Sequence, residues 1–307
     1  MIADHKETIS VIVPTYNGAH KLPVILHALK KQTVRDFELL IVIDGSTDNT
    51  LSVLNDITRS YDDIKVIKQE NRGRAAVRNA GAKRANGTLL VFFDDDMEPA
   101  CDCLEKHIQH HQRHPNSLMS GGQVDDQEKA RTSFQNFKVY LSCKWSKNLL
   151  DREDIPLSLD EMQLTAANFS IKKDVFFSLN CFDENLRDAE DFDLAVRAYL
   201  RGFQVYYNFN AFAWHNDFPT CASFIKRQIE YRQYHKNLIE AKPQIYSLIP
   251  KFIKNERSKP LMKRIFFSLW NKKWWIRMID DEKLDFLPRK MKFLIYSWVV
   301  TGHAVYK

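Results

Sequence analysis

Long apolar runs are missing from this 307-residue chain. Nothing in it approaches the roughly 18 consecutive apolar residues of a spanning helix, and Met1 to Glu7 lack the apolar core of a secretion signal. A cytoplasmic protein is therefore expected. Cysteine is sparse as well: Cys101, Cys103, Cys143, Cys181 and Cys221 are an odd set without ligand-pair spacing. That argues against a disulfide framework and a zinc site, and all five are read as reduced packing residues. The first apolar run, Ile9 to Pro14, is not followed by Gly-x-Gly-x-x-Gly, which excludes a Rossmann dehydrogenase. Internal repeats and low-complexity segments are absent too.

What is present fits a globular protein: 44% hydrophobic and 27% charged residues, in a chain long enough for one large domain with an appendage, or for two. The net charge of +6 hides an asymmetry. Residues 251–307 hold fourteen Lys and Arg against five Asp and Glu, a balance of +9 that leaves residues 1–250 at −3, and four of the six tryptophans lie there (Trp270, Trp274, Trp275, Trp298). Leu261, Ile265, Phe266, Leu269 and Trp270 recur at helical spacing among Lys259, Lys263, Arg264, Lys272 and Lys273, which describes an amphipathic basic helix. Such a helix either lies in the interface of an anionic membrane or packs on the rest of the protein with a solvated basic face. The last apolar stretch, Phe293 to Val300, is too short to span. No nucleic-acid motif accompanies the basic residues, so no nucleic-acid partner is expected.

From residue 9 to 93, short β-branched runs alternate with helix-like segments. Strands are expected at Ile9 to Pro14, Phe37 to Ile43, Ile64 to Ile67 and Thr88 to Phe93, with helices at Lys21 to Lys31, Asp48 to Ser60 and Arg74 to Ala85. This alternation implies an α/β fold with a mainly parallel sheet covered by helices. Ligands of such sheets bind outside the carboxyl ends of the strands, so Tyr16-Asn17, Asp44 and Asp94 to Asp96 should share one rim. Further strands are expected at Gln163 to Lys172 and Phe203 to Tyr207, helices at Ala189 to Leu200 and Thr220 to Ile239, and a mobile loop at Asn148 to Asp160.

The most informative stretch is Phe92-Phe93-Asp94-Asp95-Asp96-Met97-Glu98-Pro99. Like charges where a strand leaves a core repel and lose hydration, so a cation between them is the natural explanation. Mg²⁺ or Mn²⁺ takes oxygen ligands and commonly keeps phosphate oxygens in its shell, which points to a nucleoside-diphosphate substrate. The plain alternative is a solvated acidic turn.

Four motifs in order, Ser10 to Asn17, Ile43 to Asp48, Asn71 to Asn79 and Phe93 to Asp96, together with Phe182-Asp183-Glu184 and Glu190-Asp191-Phe192-Asp193-Leu194 with Arg197, closely resemble the family 2 glycosyltransferases over roughly residues 8 to 220. The resemblance implies the GT-A fold: a catalytic domain over 1–220, with a nucleotide-sugar half (1–98) and an acceptor half (99–220), followed by a helical basic region over 221–307. It implies a nucleotide-sugar donor, by preference a UDP-sugar, and a glycan or lipid-linked glycan acceptor. By position, Pro14, Thr15, Tyr16, Asn17, Asp44, Arg78, Asp94 and Asp95 would contact the donor, with Thr15, Tyr16, Asp44 and Arg78 at the base. Asp96 would hold Mn²⁺ or Mg²⁺, and His215 would add a metal or diphosphate contact. Asp191 would be the base of an inverting transfer, and Glu190 would orient it or bind acceptor. A lipid-linked acceptor would bring the protein to the inner face of the membrane through residues 251–307. Rival structural readings are a turn cap for Asp44, a solvated helix residue for Arg78 and a helix N-terminal carboxylate for Glu190.

The chain departs from the family's common pattern at Ile43, Gly18 and Met97, where acids are frequent. Two other functions remain: a haloacid-dehalogenase-like phosphatase using Asp94 and Asp96, disfavoured by Glu98 where that motif wants Thr or Val, and a catalytically silent nucleotide-sugar-binding module.

Overall fold

The computed structural model describes residues 8–58, 64–147, 153–186, 188–247, 249 and 260–306. The described chain divides into two compact units, one of residues 1–124 and 149–216, the other of residues 125–148 and 217–307. The division after Asn216 assigns residues 125–148 to the same unit as the C-terminal segment.

The first unit begins with β1 (Ile9–Thr15), α1 (Leu22–Lys30), β2 (Glu38–Asp44), α2 (Thr50–Thr58), β3 (Ile64–Gln69), α3 (Arg74–Arg84) and β4 (Leu89–Phe93). Each lies within two residues of its expected limits, apart from residues 59 and 60, which fall outside the described ones. The reason is physical: β1, β2 and β4 are buried on both faces, and a strand so placed reads as an unbroken apolar run. Then come β5 (Met97–Pro99), α4 (Cys103–Arg113), β6 (Ser117–Asp125), β7 (Ile155–Pro156), β8 (Asn168–Lys172), α5 (Lys173–Ser178), α6 (Glu190–Leu200) and β9 (Gln204–His215).

The strands form one sheet in the order β3-β2-β1-β4-β8-β6-β9-β5, with β7 beside β9. Pairing is parallel from β3 to β4, as the alternating pattern requires. Beyond β4 the ladders β4/β8, β6/β8, β5/β9 and β7/β9 are antiparallel. The parallel sheet expected from the sequence is thus the N-terminal half, because β8 and β9 are not delivered by the short helical crossovers that keep strands parallel.

Phe92 centres the core beyond β4, with ring centroids 5.6 Å from Phe169, 5.6 Å from Phe176 and 5.5 Å from Phe182. On the other side α4 buries His107, His110 and His111. His107 Nδ1 is 2.8 Å from Ser170 Oγ and Nε2 2.9 Å from Asn168 Oδ1, and burial pushes its pKa down to about 4 despite the Asn168 bond. His107, and His111 whose Nε2 is 2.9 Å from Ser170 Oγ, therefore tie α4 to β8, while His110 reaches Ser117 of β6.

Several expectations are corrected. The strand expected from Gln163 begins only at Asn168, because residues 165–168 turn: Asn168 N–H reaches Thr165 O, and Ala166 N–H is turned toward α6. The loop expected over Asn148 to Asp160 contains β7, while residues 148–152 are not described. Cys103 and Cys221 are buried, but Cys101 and Cys143 are exposed and do not serve as packing residues.

The second unit holds α7 (Ser133–Ser146), α8 (Cys221–Ala241), α9 (Pro243–Tyr246), α10 (Leu261–Ser268), α11 (Lys273–Asp280) and α12 (Arg289–Val305). Phe134, Phe137, Phe224, Ile225, Tyr296 and Val299 form its core. Asp280 at the end of α11 accepts from Cys221 N (2.6 Å) and Ala222 N (3.2 Å), meeting the unpaired donors at the start of α8. Lys259 and the rest of 250–259 lie outside the described residues.

Truncating the central ring tests this core. Phe92→Ala should lower unfolding free energy by about 3–5 kcal/mol, read from urea denaturation, since the three facing rings cannot collapse onto the vacated space.

Candidate active site

The carboxyl ends of β1, β2 and β4 lie at one edge because the strands are parallel, and the loops after them interlock. Asn17, at φ 51°, accepts through Oδ1 from Thr47 N (2.8 Å) and Asp48 N (3.3 Å), and its own N–H donates to Ser46 Oγ (3.0 Å). Asn17 therefore staples the β1 loop to the β2 loop. Asp44 accepts from Arg72 N, Gly73 N (both 2.9 Å) and Gln69 Nε2 (2.7 Å), which ties β2 to the turn before α3. With about four lone-pair positions on a carboxylate, one acceptor position of Asp44 remains for a ligand. Pro14 lies inside β1, and Tyr16 stands half-exposed at the rim.

The three carboxylates after β4 have different surroundings. Asp94, half-buried, accepts from Arg78 Nη2 at 2.5 Å. Burial alone would raise its pKa, but the Arg78 charge overrides that and holds it below the usual carboxylate range. Asp95 is buried; it accepts from Thr15 Oγ1 (2.7 Å) and Lys21 Nζ (3.0 Å). Burial keeps its pKa above the usual range even so, with Lys21 and Thr15 opposing. Asp96 Oδ2 is 3.4 Å from Lys21 Nζ, while its Oδ1 is buried without a hydrogen-bond partner, 3.7 Å from His215 Nε2. Met97 pairs with His215 across the β5/β9 ladder, and Asn216 N–H donates to Asp96 O, so backbone bonds fix this approach.

Gly18 explains one departure from the expected pattern. A Cβ there would lie 2.0 Å from Thr15 Oγ1 and 2.7 Å from Asp95 Oδ2, so an acid at this position is incompatible with the Thr15–Asp95 bond. Met97 is explained by full burial in the core.

Across the rim, α6 opens with Glu190 and Asp191. Arg78, expected from the resemblance to face the base, has its guanidinium buried between Asp94 and Glu190. Glu190 Oε1 accepts from Arg78 Nη1; its Oε2 is buried without a hydrogen-bond partner. Burial, which Arg78 only partly offsets, lifts the Glu190 pKa to about 7. Asp191 Oδ2 accepts from Ala166 N (3.1 Å) and Oδ1 from Phe192 N (2.7 Å), and burial raises its pKa against the pull of Arg78. The neighbouring Asn79 exchanges bonds with Phe182, accepting from its N–H (3.1 Å) and donating to its carbonyl (2.9 Å). Arg197 binds Asp193 (2.7 Å) and Cys181 O (2.9 Å). These motif residues hold one another.

The donor set fits a cation. A buried carboxylate oxygen without a partner, an imidazole nitrogen beside it and a second carboxylate behind are what a hard divalent ion with phosphate oxygens in its shell requires. Asp96 and His215 would be its ligands. A second group, His110, His114 and Asp154, has ligand atoms within 4.8 Å of one another. It lies toward the other end of β9, where Tyr206 packs on His110 and His114, and Arg113 Nη2 already reaches Asp154 at 3.0 Å. The arginine supplies the positive charge there.

Sequence reasoning missed Lys21. It precedes α1 and is the cation between Asp95 and Asp96, and their charges keep its pKa raised despite burial. Its only sequence signal is a basic residue just after the β1 turn.

Comparison with known proteins gives the family and the fold. The profile of Glycosyl transferase family 2 matches residues 10–177. YfnE of Bacillus subtilis, an uncharacterized glycosyltransferase, is 37% identical over 113 residues, covering 36% of this chain and 29% of YfnE. An uncharacterized glycosyltransferase of Haemophilus influenzae is 30% identical over 198 residues, covering 62% of this chain and 61% of that protein. The chain thus spans under two thirds of the length of these relatives. Among solved structures, the mannosyltransferase PcManGT of Pyrobaculum calidifontis, in complex with GDP-Man and Mn²⁺, superposes with a TM-score of 0.62 at 16% identity, covering 99% of this chain and 88% of its own. TarS residues 1–349 of S. aureus, in complex with UDP-GlcNAc, gives a TM-score of 0.56 at 18% identity, covering 97% and 89%. These likenesses show a GT-A fold.

The clasp can be tested by stability. Arg78→Met should cost about 3–5 kcal/mol in urea unfolding at neutral pH, because the buried Glu190 and the half-buried Asp94 lose their shared partner. Arg78→Lys should recover part of that but not all, since one ammonium cannot present two separate N–H groups in a fixed plane.

Proposed function

The chain belongs to glycosyl transferase family 2, and from that premise we propose that it is an inverting, metal-dependent glycosyltransferase moving a sugar from a nucleoside-diphosphate sugar to an acceptor hydroxyl. The observation that carries this is the approach of an Asp96 oxygen without a hydrogen bond to His215, on the same rim as a half-buried, backbone-held Asp191. A UDP-sugar is the preferred donor; the S. aureus TarS and P. calidifontis complexes carry UDP-GlcNAc and GDP-Man. The acceptor is a glycan or a lipid-linked glycan, and the latter goes with peripheral membrane contact through residues 251–307 at the inner face of the membrane.

Asp191 takes the proton of the acceptor hydroxyl as its oxygen attacks the anomeric carbon. The bond from that carbon to the diphosphate oxygen breaks, and its electron pair leaves with the nucleoside diphosphate. Attack from the face opposite the leaving group inverts the centre, so one base suffices. Hydrogen bonds from Ala166 N and Phe192 N hold the carboxylate still. Asp96 and His215 would hold Mn²⁺ or Mg²⁺, which stabilises charge on the departing diphosphate when bound. Thr15, Tyr16 and the remaining acceptor position of Asp44 serve the nucleoside, with Pro14 and Asn17 shaping that loop. Asp95 faces the ribose or supports the cation. In this reading Arg78 is a positioning residue, joining Asp94 to Glu190, and Glu190 orients the base beside it.

The phosphatase alternative is set aside by family membership, and Asp94, its nucleophile, is tied to Arg78. A catalytically silent module would bind donor without turnover, and the assays below separate it.

Calorimetry and a transfer assay over UDP-, GDP- and dTDP-sugars test the proposal. Asp96→Ala should abolish metal-supported donor binding, while Asp191→Asn should keep donor affinity within about threefold and lower turnover by at least about a hundredfold. Equal loss of both in Asp191→Asn would return that residue to a structural role.

The pH profile adds a second check. Asp191 works ionised and burial raises its pKa, so turnover is full at alkaline pH and falls as pH drops, beginning above the usual carboxylate range. Glu190 gains its proton near 7. Glu190→Gln should therefore remove the part of the fall centred near pH 7 and leave the part that belongs to Asp191. A rate flat down to about pH 4 would contradict the assignment.

A further inference from the structure

The short helix α10 turns its apolar side away from the protein. Leu261 is 68% exposed, Met262 84%, Ile265 60% and Leu269 63%, and no residue of α10 is buried. At 3.6 residues per turn these four positions occupy one arc, and Phe267 lies roughly opposite its centre. Phe267 stacks on Tyr306 with centroids 4.5 Å apart. Gly302 of α12 lets the backbone follow: a Cβ there would lie 3.1 Å from Phe267 O. One side of α10 is therefore seated on α12 and the other is held outward.

Exposed contiguous apolar surface on a folded unit marks a binding face. Its surroundings identify the partner. Lys263 and Arg264 flank the arc on α10; Lys272, Lys273 and Arg277 continue the positive charge along α11, all exposed, with Trp274 half-exposed among them. Of the residues in α10 and α11 only Asp280 is acidic, and it is engaged at the start of α8. A protein partner needs no such arrangement, whereas an anionic bilayer does: apolar side chains enter the acyl boundary, tryptophan rests at headgroup depth and cations meet lipid phosphates. No helix among the described residues is long and apolar enough to cross a membrane.

We infer that the outward face of α10, with Trp274 and the basic start of α11, is a monotopic docking surface for anionic phospholipid bilayers. This deepens the membrane-borne acceptor reading and rests on it for purpose, but vesicle binding is measured without sugar donor, so the two fail separately.

The experiment is co-sedimentation of the full chain with phosphatidylcholine vesicles with and without phosphatidylglycerol. The wild type should sediment with the anionic vesicles. Leu261→Glu/Met262→Glu/Ile265→Glu should reduce its partition by about tenfold or more, with an unchanged melting temperature because the three side chains are exposed. Lys263→Glu/Arg264→Glu should reduce it about fivefold or more on anionic vesicles, and added salt should weaken the wild type in the same way. Failure of the wild type to sediment, or equal sedimentation by the triple variant, overturns the assignment. So does a concentration-dependent dimer, seen by light scattering, that the triple variant abolishes, since the face would then belong to a second copy.

Discussion

A guanidinium with no access to water must be surrounded by acceptors or it will not stay, and Arg78 is in that position. Its two terminal nitrogens reach Asp94, at the end of β4, and Glu190, at the start of α6. The residues are distant in sequence, and each would be costly to bury alone. Joined, they fix the distance between the strand end that carries Asp95 and Asp96 and the helix end that carries Asp191. The rim and the base are thus positioned by one buried ion triad. The single arginine also sorts the neighbouring acids: it lowers Asp94, while burial outweighs it at Glu190 and Asp191.

The three consecutive carboxylates tolerate one another because each meets a different environment. Asp94 is neutralised by Arg78. Asp95 is held by a hydroxyl and an ammonium. Asp96 keeps one oxygen without a hydrogen bond, beside an imidazole from a neighbouring strand. A solvated acidic turn would show none of this differentiation. Lys21 supplies the positive charge between Asp95 and Asp96.

In the second unit the same balance of burial against charge works in the opposite direction. Phe134, Phe137 and Tyr296 make an aromatic interior with centroid separations of 5.6 to 5.7 Å. Trp270 and Trp275 pack beside it, 4.8 Å apart. With those aromatics inside, the aliphatic residues of α10 are left outside, and the positive charge that the sequence concentrates in its tail borders them.

The sequence by itself determined the strand-helix alternation up to residue 93, since doubly covered strands must be continuous apolar runs, and it determined that Asp44 and Asp94 to Asp96 share a rim. It also supplied the motif pairs Arg78-Asn79 and Glu190-Asp191, whose chemistry is legible in residue type alone. What it left undecided was partnership. Whether Arg78 meets a ligand or two carboxylates depends on where β4 and α6 end relative to α3, which is a property of the folded chain. The antiparallel half of the sheet, the short β5 that brings Met97 to His215 and the seat of α10 on Gly302 are likewise long-range. No local pattern encodes them, because each is set by contacts between residues far apart along the chain. Only tertiary structure could decide which acid is neutralised, which is held by hydrogen bonds and which keeps an oxygen without one.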